Sequence, residues 1–201
     1  MKNISSKNNS IFKNISKLLF KNNKRKASNS FIVEGIKDIN LCLNYGFEFI
    51  EIIICSELIS NQNINYIDTN FNNVVVYNFS LKLYQELIYK KKGDGLLALI
   101  KSKDNSLKNF KISKNPYILI AESPEKPGNI GALLRTADAA GLDGLIIANP
   151  KTELYNPNTI RSSLGSIFTK QIATASTDDI ISYLKINNIK IIPNIMESFI
   201  L

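Results

Sequence analysis

Two side chains near the middle of the chain could meet an anion. Asn129 carries a carboxamide and Arg135 a guanidinium, and both follow the loop Glu122-Ser-Pro-Glu-Lys-Pro-Gly128. Gly131 lies between them, four residues before Arg135, so on a helix the guanidinium stands one turn beyond the glycine and on its side. Asn is a favoured helix cap, and Gly admits close approach of other atoms to its backbone. An Arg near a helix N-terminus suits a phosphate. An Asn that only caps and an Arg that only faces water satisfy the same spacing, and the spacing leaves both readings open.

These residues need a strand before them and another after. Tyr117-Ile-Leu-Ile-Ala121 and Gly144-Leu-Ile-Ile-Ala148 are short apolar runs bounded by Gly and Pro, the pattern of strands buried on both faces. Between them Ala132, Leu133, Leu134, Ala137 and Ala140 repeat with a helical period, and Gly141 stops the helix. The unit is βαβ, which belongs to a parallel sheet.

Composition narrows the chemistry. The chain has no histidine, which removes the commonest general base, imidazole metal ligands and every Ser-His or Cys-His dyad. Cys42 and Cys55 sit among apolar residues, as buried thiols of a reducing cytoplasm do. No apolar run approaches the length of a membrane span, and Met1-Lys-Asn-Ile-Ser-Ser lacks the apolar core of a secretory signal. Residues 1–30 hold Lys2, Lys7, Lys13, Lys17, Lys21, Lys24, Arg25 and Lys26 and no acid, so the whole net charge of +8 sits there. A basic arm on a neutral body is the pattern of a polyanion binder; a solvated, frayed terminus would show the same charge.

Asn129-x-Gly131, Arg135-Thr136-Ala137 and Gly141 resemble the first signature of the SpoU family of RNA 2′-O-ribose methyltransferases, the TrmH-like enzymes. A second stretch, Asn156-Pro-Asn-Thr-Ile-Arg161-Ser-Ser-Leu-Gly165-Ser-Ile-Phe168, is similar to a further segment of that family. The resemblance implies a parallel α/β sheet tied in a deep knot, S-adenosylmethionine as cofactor and ribosomal or transfer RNA as partner. It implies Arg135 nearest the reacting hydroxyl, with Asn129 positioning it. Arg161 becomes a second phosphate contact or, equally, a structural ion pair, and Ser162, Ser163 and Gly165 shape the floor of the site. Family members pair through the knot, so a homodimer is implied too.

The order Lys24-Arg25 … Phe31-Ile-Val-Glu-Gly35 is similar to the start of the substrate-binding domain found before many SpoU domains, which resembles ribosomal protein L30e. Residues 1–105 are therefore expected to form a small L30e-like α/β sandwich that binds RNA, with Lys24, Arg25 and Lys26 in a basic loop. Ahead of that loop Ile11, Ile15, Leu18 and Leu19 predict an amphipathic helix whose outer face carries Lys13, Lys17 and Lys21. A membrane-surface helix shares this pattern but lacks a second anchor here. Strands are expected at 31–35, 49–55, 74–77 and 96–100, helices at 36–45 and after Ser80, and a polar linker at 101–115.

Residues 106–201 are expected to form an incomplete SpoU domain, with a short helix at 160–164, a strand at 171–174, a helix at 178–185 and a last strand at 189–192. The family's Gly-x-Glu loop and terminal Ser-Leu-Asn stretch do not appear after Ile192. The resemblance thus implies half a cofactor pocket whose residues are unknown, weak or absent binding of S-adenosylmethionine, and impaired methyl transfer. A non-catalytic RNA-binding module is the alternative.

Overall fold

The computed structural model describes residues 1–89 and 93–193. Part of the expected basic turn at 90–95, and everything after Pro193, lie outside the described residues.

The first sheet has five strands in the order β1 (Lys2–Ile4), β4 (Val75–Phe79), β3 (Phe49–Ile54), β5 (Leu96–Lys101), β2 (Ser30–Glu34). The first three run parallel, while β5 is antiparallel to both β3 and β2. Strand alternation divides its residues between two cores. Leu97 and Leu99 join Phe12, Ile15 and Leu18 of α1 (Ser10–Phe20) and Leu83 and Tyr84 of α5 (Leu81–Leu87) on one face. Leu96, Ala98 and Ile100 point to the other face, against Ile39 and Cys42 of α3 (Ile36–Asn44) and Ile67 of α4 (Asn61–Asn70). The polar stretch from Ser60 folds as α4, with Ser60 as its cap, the side chain accepting from Asn63 N at 3.2 Å. Strand β1 is a three-residue edge with two exposed positions, too short for its sequence to signal a strand.

α2 (Asn22–Ser28) replaces the expected basic loop. Its hinge from α1 is Lys21, and it ends at Asn29 in the left-handed region (φ 46°).

The second sheet has three parallel strands, β6 (Ile118–Glu122), β7 (Gly144–Ala148) and β8 (Gln171–Ala175), in that order. α6 (Pro127–Ala139) joins the first two and completes the expected βαβ unit, and α7 (Pro157–Ser163) and α8 (Ser166–Thr169) lie between β7 and β8. α9 (Thr177–Ile186) covers the opposite face, where Ile180 and Leu184 meet Ile146, Ala148 and Ala173. The polar stretch around 107–115 is not a free linker: Phe110 is buried in that same cluster. Its ring sits so close to Gly144 that a Cβ there would lie 2.8 Å from it.

The strand expected at 189–192 does not form. α9 closes instead with Asn188 at φ 55° and Ile189 N donating to Leu184 O at 2.9 Å. Among the described residues no neighbouring strand takes up this run, and Ile191 and Ile192 stand exposed.

The two sheets share one interior. The cluster on the α3 side of the first sheet continues into Ile130, Leu134, Leu145, Ile147, Ile160, Ile167 and Phe168 of the second half. Phe31 of β2 stacks on Tyr155 with ring centroids 4.2 Å apart and planes 6° from parallel. An aromatic pair of that kind contributes about 0.5–1.5 kcal/mol beyond the area it buries.

Candidate nucleic-acid interface

α6 starts one turn earlier than its expected cap. Lys126 holds the cap position and Pro127 the first helical one, where a ring-fixed φ and a missing N–H cost nothing. Asn129 is therefore inside the first turn, with its side chain exposed, and is not the cap.

Gly131 does admit a close approach, but of protein rather than ligand. A Cβ at Gly131 would collide with the side chain of Ser162 and lie 2.7 Å from its carbonyl carbon. The bare backbone lets α6 and α7 cross in contact at this point. One turn on, the exposed Arg135 reaches over the crossing and its Nη1 donates to Ser162 O. Asn129 and Arg135 stand six residues apart, which in a helix is about 9 Å along the axis and about 120° around it. Only a ligand spanning that distance would touch both.

α7 begins at its own cap, Asn156, whose side chain accepts from Asn158 N at 2.9 Å, followed by Pro157. Arg161 then projects from the last turn. Its Nη2 donates to Asn158 Oδ1, and its guanidinium carbon lies 3.8 Å from the ring centroid of Tyr89, which follows α5 in the first half. Among the described residues neither Arg135 nor Arg161 pairs with a carboxylate. Two guanidinium groups thus flank Ser162 with donors to spare. Ser163 is buried and donates to Ile160 O at 2.7 Å, and Gly165 takes φ 96°, so both shape the backbone here.

The basic segment near the N-terminus is divided by the fold. Lys13, Lys17 and Lys21 line the exposed side of α1, Lys26 is exposed and Lys24 half-buried. Arg25, expected on RNA, turns inward. It is 4% exposed, its Nε donates to Glu153 Oε2 at 2.8 Å, and its Nη1 donates to Leu18 O at 2.7 Å. A buried guanidinium needs such partners, and α2 positions them because its Arg side faces the α1 C-terminus. Burial raises Glu153 above the usual carboxylate range, and Arg25 opposes that shift.

A third group of residues lies at the carboxyl ends of β6, β7 and β8, where ligands sit in open parallel sheets. The Glu122 carboxylate accepts from Thr177 Oγ1 at 2.6 Å, Ser123 Oγ at 2.8 Å and Asn149 Nδ2 at 3.0 Å. The Thr177 hydroxyl, the Asn149 amide and the Ser123 hydroxyl hold it below the ordinary carboxylate range. Ser123 and Asn149 both adopt left-handed backbone, at φ 48° and 45°. Sequence reasoning gave Glu122, Ser123 and Asn149 no role and cast Thr177 as the cap of α9, a position that Ser176 takes instead, its side chain accepting from Asp179 N at 3.1 Å; a polar residue directly after each buried run was the available signal. Glu122, Asn129 and Asn149 are all exposed. The cavity lined by Phe47, Lys103, Tyr155 and Phe168 is elsewhere, at the amino end of β8.

Among the described residues no group of three or more His, Cys, Asp and Glu side chains could hold a metal ion. No described helix is long and apolar enough to cross a membrane.

Residues 116–195 match the SpoU rRNA methylase family, and residues 8–98 match the MRM3-like substrate binding domain. The chain is similar to the 23S rRNA (uridine(2479)-2′-O)-methyltransferase of Streptomyces viridochromogenes, 27% identical over 80% of this chain and 56% of that protein. It spans little more than half the length of that relative. A solved RNA 2′-O ribose methyltransferase is similar in structure, with a TM-score of 0.75 and 28% identity, covering 92% of this chain and 70% of the other. An AdoMet-bound rRNA methyltransferase from Sinorhizobium meliloti gives a TM-score of 0.81 at 24% identity, covering 92% and 68%, and shares the fold.

Proposed function

We propose that this chain, whose residues 116–195 belong to the SpoU rRNA methylase family, serves the methylation of a ribose 2′-hydroxyl in ribosomal RNA, with S-adenosylmethionine as methyl donor. In this reading residues 1–105 hold the RNA and residues 106–201 carry the transfer site. The observation that carries the reading is the α6–α7 crossing, where Arg135 and Arg161 flank Ser162 and, among the described residues, pair with no carboxylate. Ribosomal RNA is preferred over transfer RNA because the Streptomyces viridochromogenes relative is named for it.

A ribose hydroxyl is a poor nucleophile, so the site has to favour the alkoxide that forms as the proton leaves. That proton passes to solvent water rather than to Arg135, because guanidinium stays protonated under all ordinary conditions. Arg135 acts by lowering the energy of the developing negative oxygen and by gripping the neighbouring phosphate in a planar fork. Arg161 supplies the next phosphate contact, and Lys13, Lys17 and Lys21, exposed along α1, offer further cations to the RNA.

S-adenosylmethionine supplies an electrophilic methyl group when bound. At the carboxyl edge Glu122, Asn129 and Asn149 stand open to solvent, and Glu122 is already tied to Ser123, Asn149 and Thr177. This openness supports weak donor binding by the polypeptide on its own.

The test is transfer of tritium from methyl-labelled S-adenosylmethionine to 23S rRNA by a version of the protein extended to the length of its relatives. Label on a ribose O2′, lost in Arg135→Ala while RNA affinity stays within a few fold, is the expected result. RNA binding without any transfer would overturn methyl transfer and leave an RNA-binding module.

A further inference from the structure

Tyr89 is out of place as a structural residue. It is 72% exposed although it has the size of a core side chain. It is nonetheless held at two points: its backbone N donates to Glu34 Oε2 at 3.3 Å, and the Arg161 guanidinium lies 3.8 Å from its ring centroid. Arg161 is in turn fixed by Asn158 Oδ1. With one face of the ring covered by a cation and so much of the residue exposed, the opposite face is open to solvent. The next residue after Arg161 is Ser162, whose carbonyl accepts from Arg135. A flat aromatic surface, a cation behind it and a second cation beside Ser162 therefore occupy one short stretch of surface.

That is the chemistry of single-stranded RNA recognition. Unstacked bases lie on aromatic or guanidinium planes, while the phosphates between them meet cations. A guanidinium behind the ring makes a cation–π pair and keeps the ring from rotating away. We propose that Tyr89, backed by Arg161, is the stacking platform for one unpaired nucleobase of the RNA, beside the nucleotide whose sugar–phosphate Arg135 holds. The assignment rests on the RNA reading above and deepens it: the substrate is an RNA segment with at least one base turned out of its helix. The platform joins the two halves of the chain, because Tyr89 follows α5 and Arg161 belongs to α7.

The chain contains no tryptophan, so Tyr89→Trp puts a single emitter at the platform. Titration of that variant with a short single-stranded RNA should quench the tryptophan emission, with affinity equal to or tighter than that of the unsubstituted chain. Tyr89→Phe should bind within about two-fold, because the ring face is kept. Tyr89→Ala should bind about 5- to 150-fold more weakly, the range that removal of one stacked base gives. Its slope of affinity against salt should stay the same, because every phosphate partner is retained. Thermal melting separates a folding defect from weakened stacking; if Tyr89→Ala melts early, the emission of Tyr89→Trp decides. Unchanged emission at saturating RNA, or Tyr89→Ala binding at full strength while substitution of Lys13, Lys17 and Lys21 weakens it, overturns the platform and leaves the RNA reading intact. Absence of RNA binding by the unsubstituted chain overturns both.

Discussion

Arg25 and Glu153 are 128 residues apart in the chain, yet Nε and Oε2 lie 2.8 Å apart. The pair is almost dry: the Arg25 side chain is 3% exposed and that of Glu153 12%. It fastens the α1–α2 corner to the loop before α7. Removing one partner leaves the other charge buried and alone, a change that costs about 3–5 kcal/mol. Arg25→Ala should therefore lower the urea midpoint sharply, while Lys24→Ala and Lys26→Ala leave it nearly unmoved. Equal midpoints for all three would show that the pair contributes nothing.

The outer face of α1 should set the ionic part of RNA affinity. Converting Lys13, Lys17 and Lys21 together to Gln is expected to flatten the plot of log affinity against log salt by about 0.7 for each phosphate of single-stranded RNA that is no longer neutralised. Filter binding across a salt series measures it. An unchanged slope would remove α1 from the interface.

Gly131→Ala should destabilise and disable together. The added methyl meets both the side chain and the backbone of Ser162, so α6 and α7 must separate, an overpacking cost of about 1–3 kcal/mol. Ser162→Gly in the same chain should recover only part of the stability, since the carbonyl carbon of residue 162 remains in the way. Full recovery would mean that the side chain alone makes the clash.

Acid should loosen the carboxyl edge of the second sheet. Glu122 has its folded pKa held below its ordinary value of 4.5 by Thr177, Asn149 and Ser123. A depressed carboxylate stabilises the fold above its unfolded pKa, and the contribution fades as pH falls from there through the folded one. Stability of the unsubstituted chain should drop over that window, and Glu122→Gln should drop less. Parallel acid limbs for the two proteins would disprove the linkage.

Calorimetric titration of this polypeptide with S-adenosylmethionine should show weak or undetectable heat, because the described edge is open. Affinity in the low micromolar range would mean that the edge closes around the ligand.

How far the sequence can be read depends on whether a feature is local. The strands on either side of α6, and α6 itself, are legible because Gly and Pro bracket short apolar runs and the helix keeps its period. The start of α6 is misleading because Asn129 is a good cap in type, while Pro127 at the first helical position is the truer mark. Lys24, Arg25 and Lys26 are alike in sequence; only Glu153, far along the chain, decides which of them turns inward. The 189–192 run is apolar enough for a strand, but a strand needs a neighbour, and none of the described strands lies beside it. Arg135 at Ser162 is half-visible: the four-residue step from Gly131 sets its side of the helix, but nothing local names the partner helix.

The stacked Phe31 and Tyr155 rings, and the apolar interior they belong to, leave the two halves little room to swing against each other. A rigid receptor cannot wrap its target. On the proposed reading, the distance between the lysines of α1 and the guanidinium of Arg135 is a fixed ruler, and the RNA is the partner that bends, bulges or opens a loop to touch both marks at once. Selectivity would then fall on how easily a given stretch of ribosome sequence deforms, before any base is read.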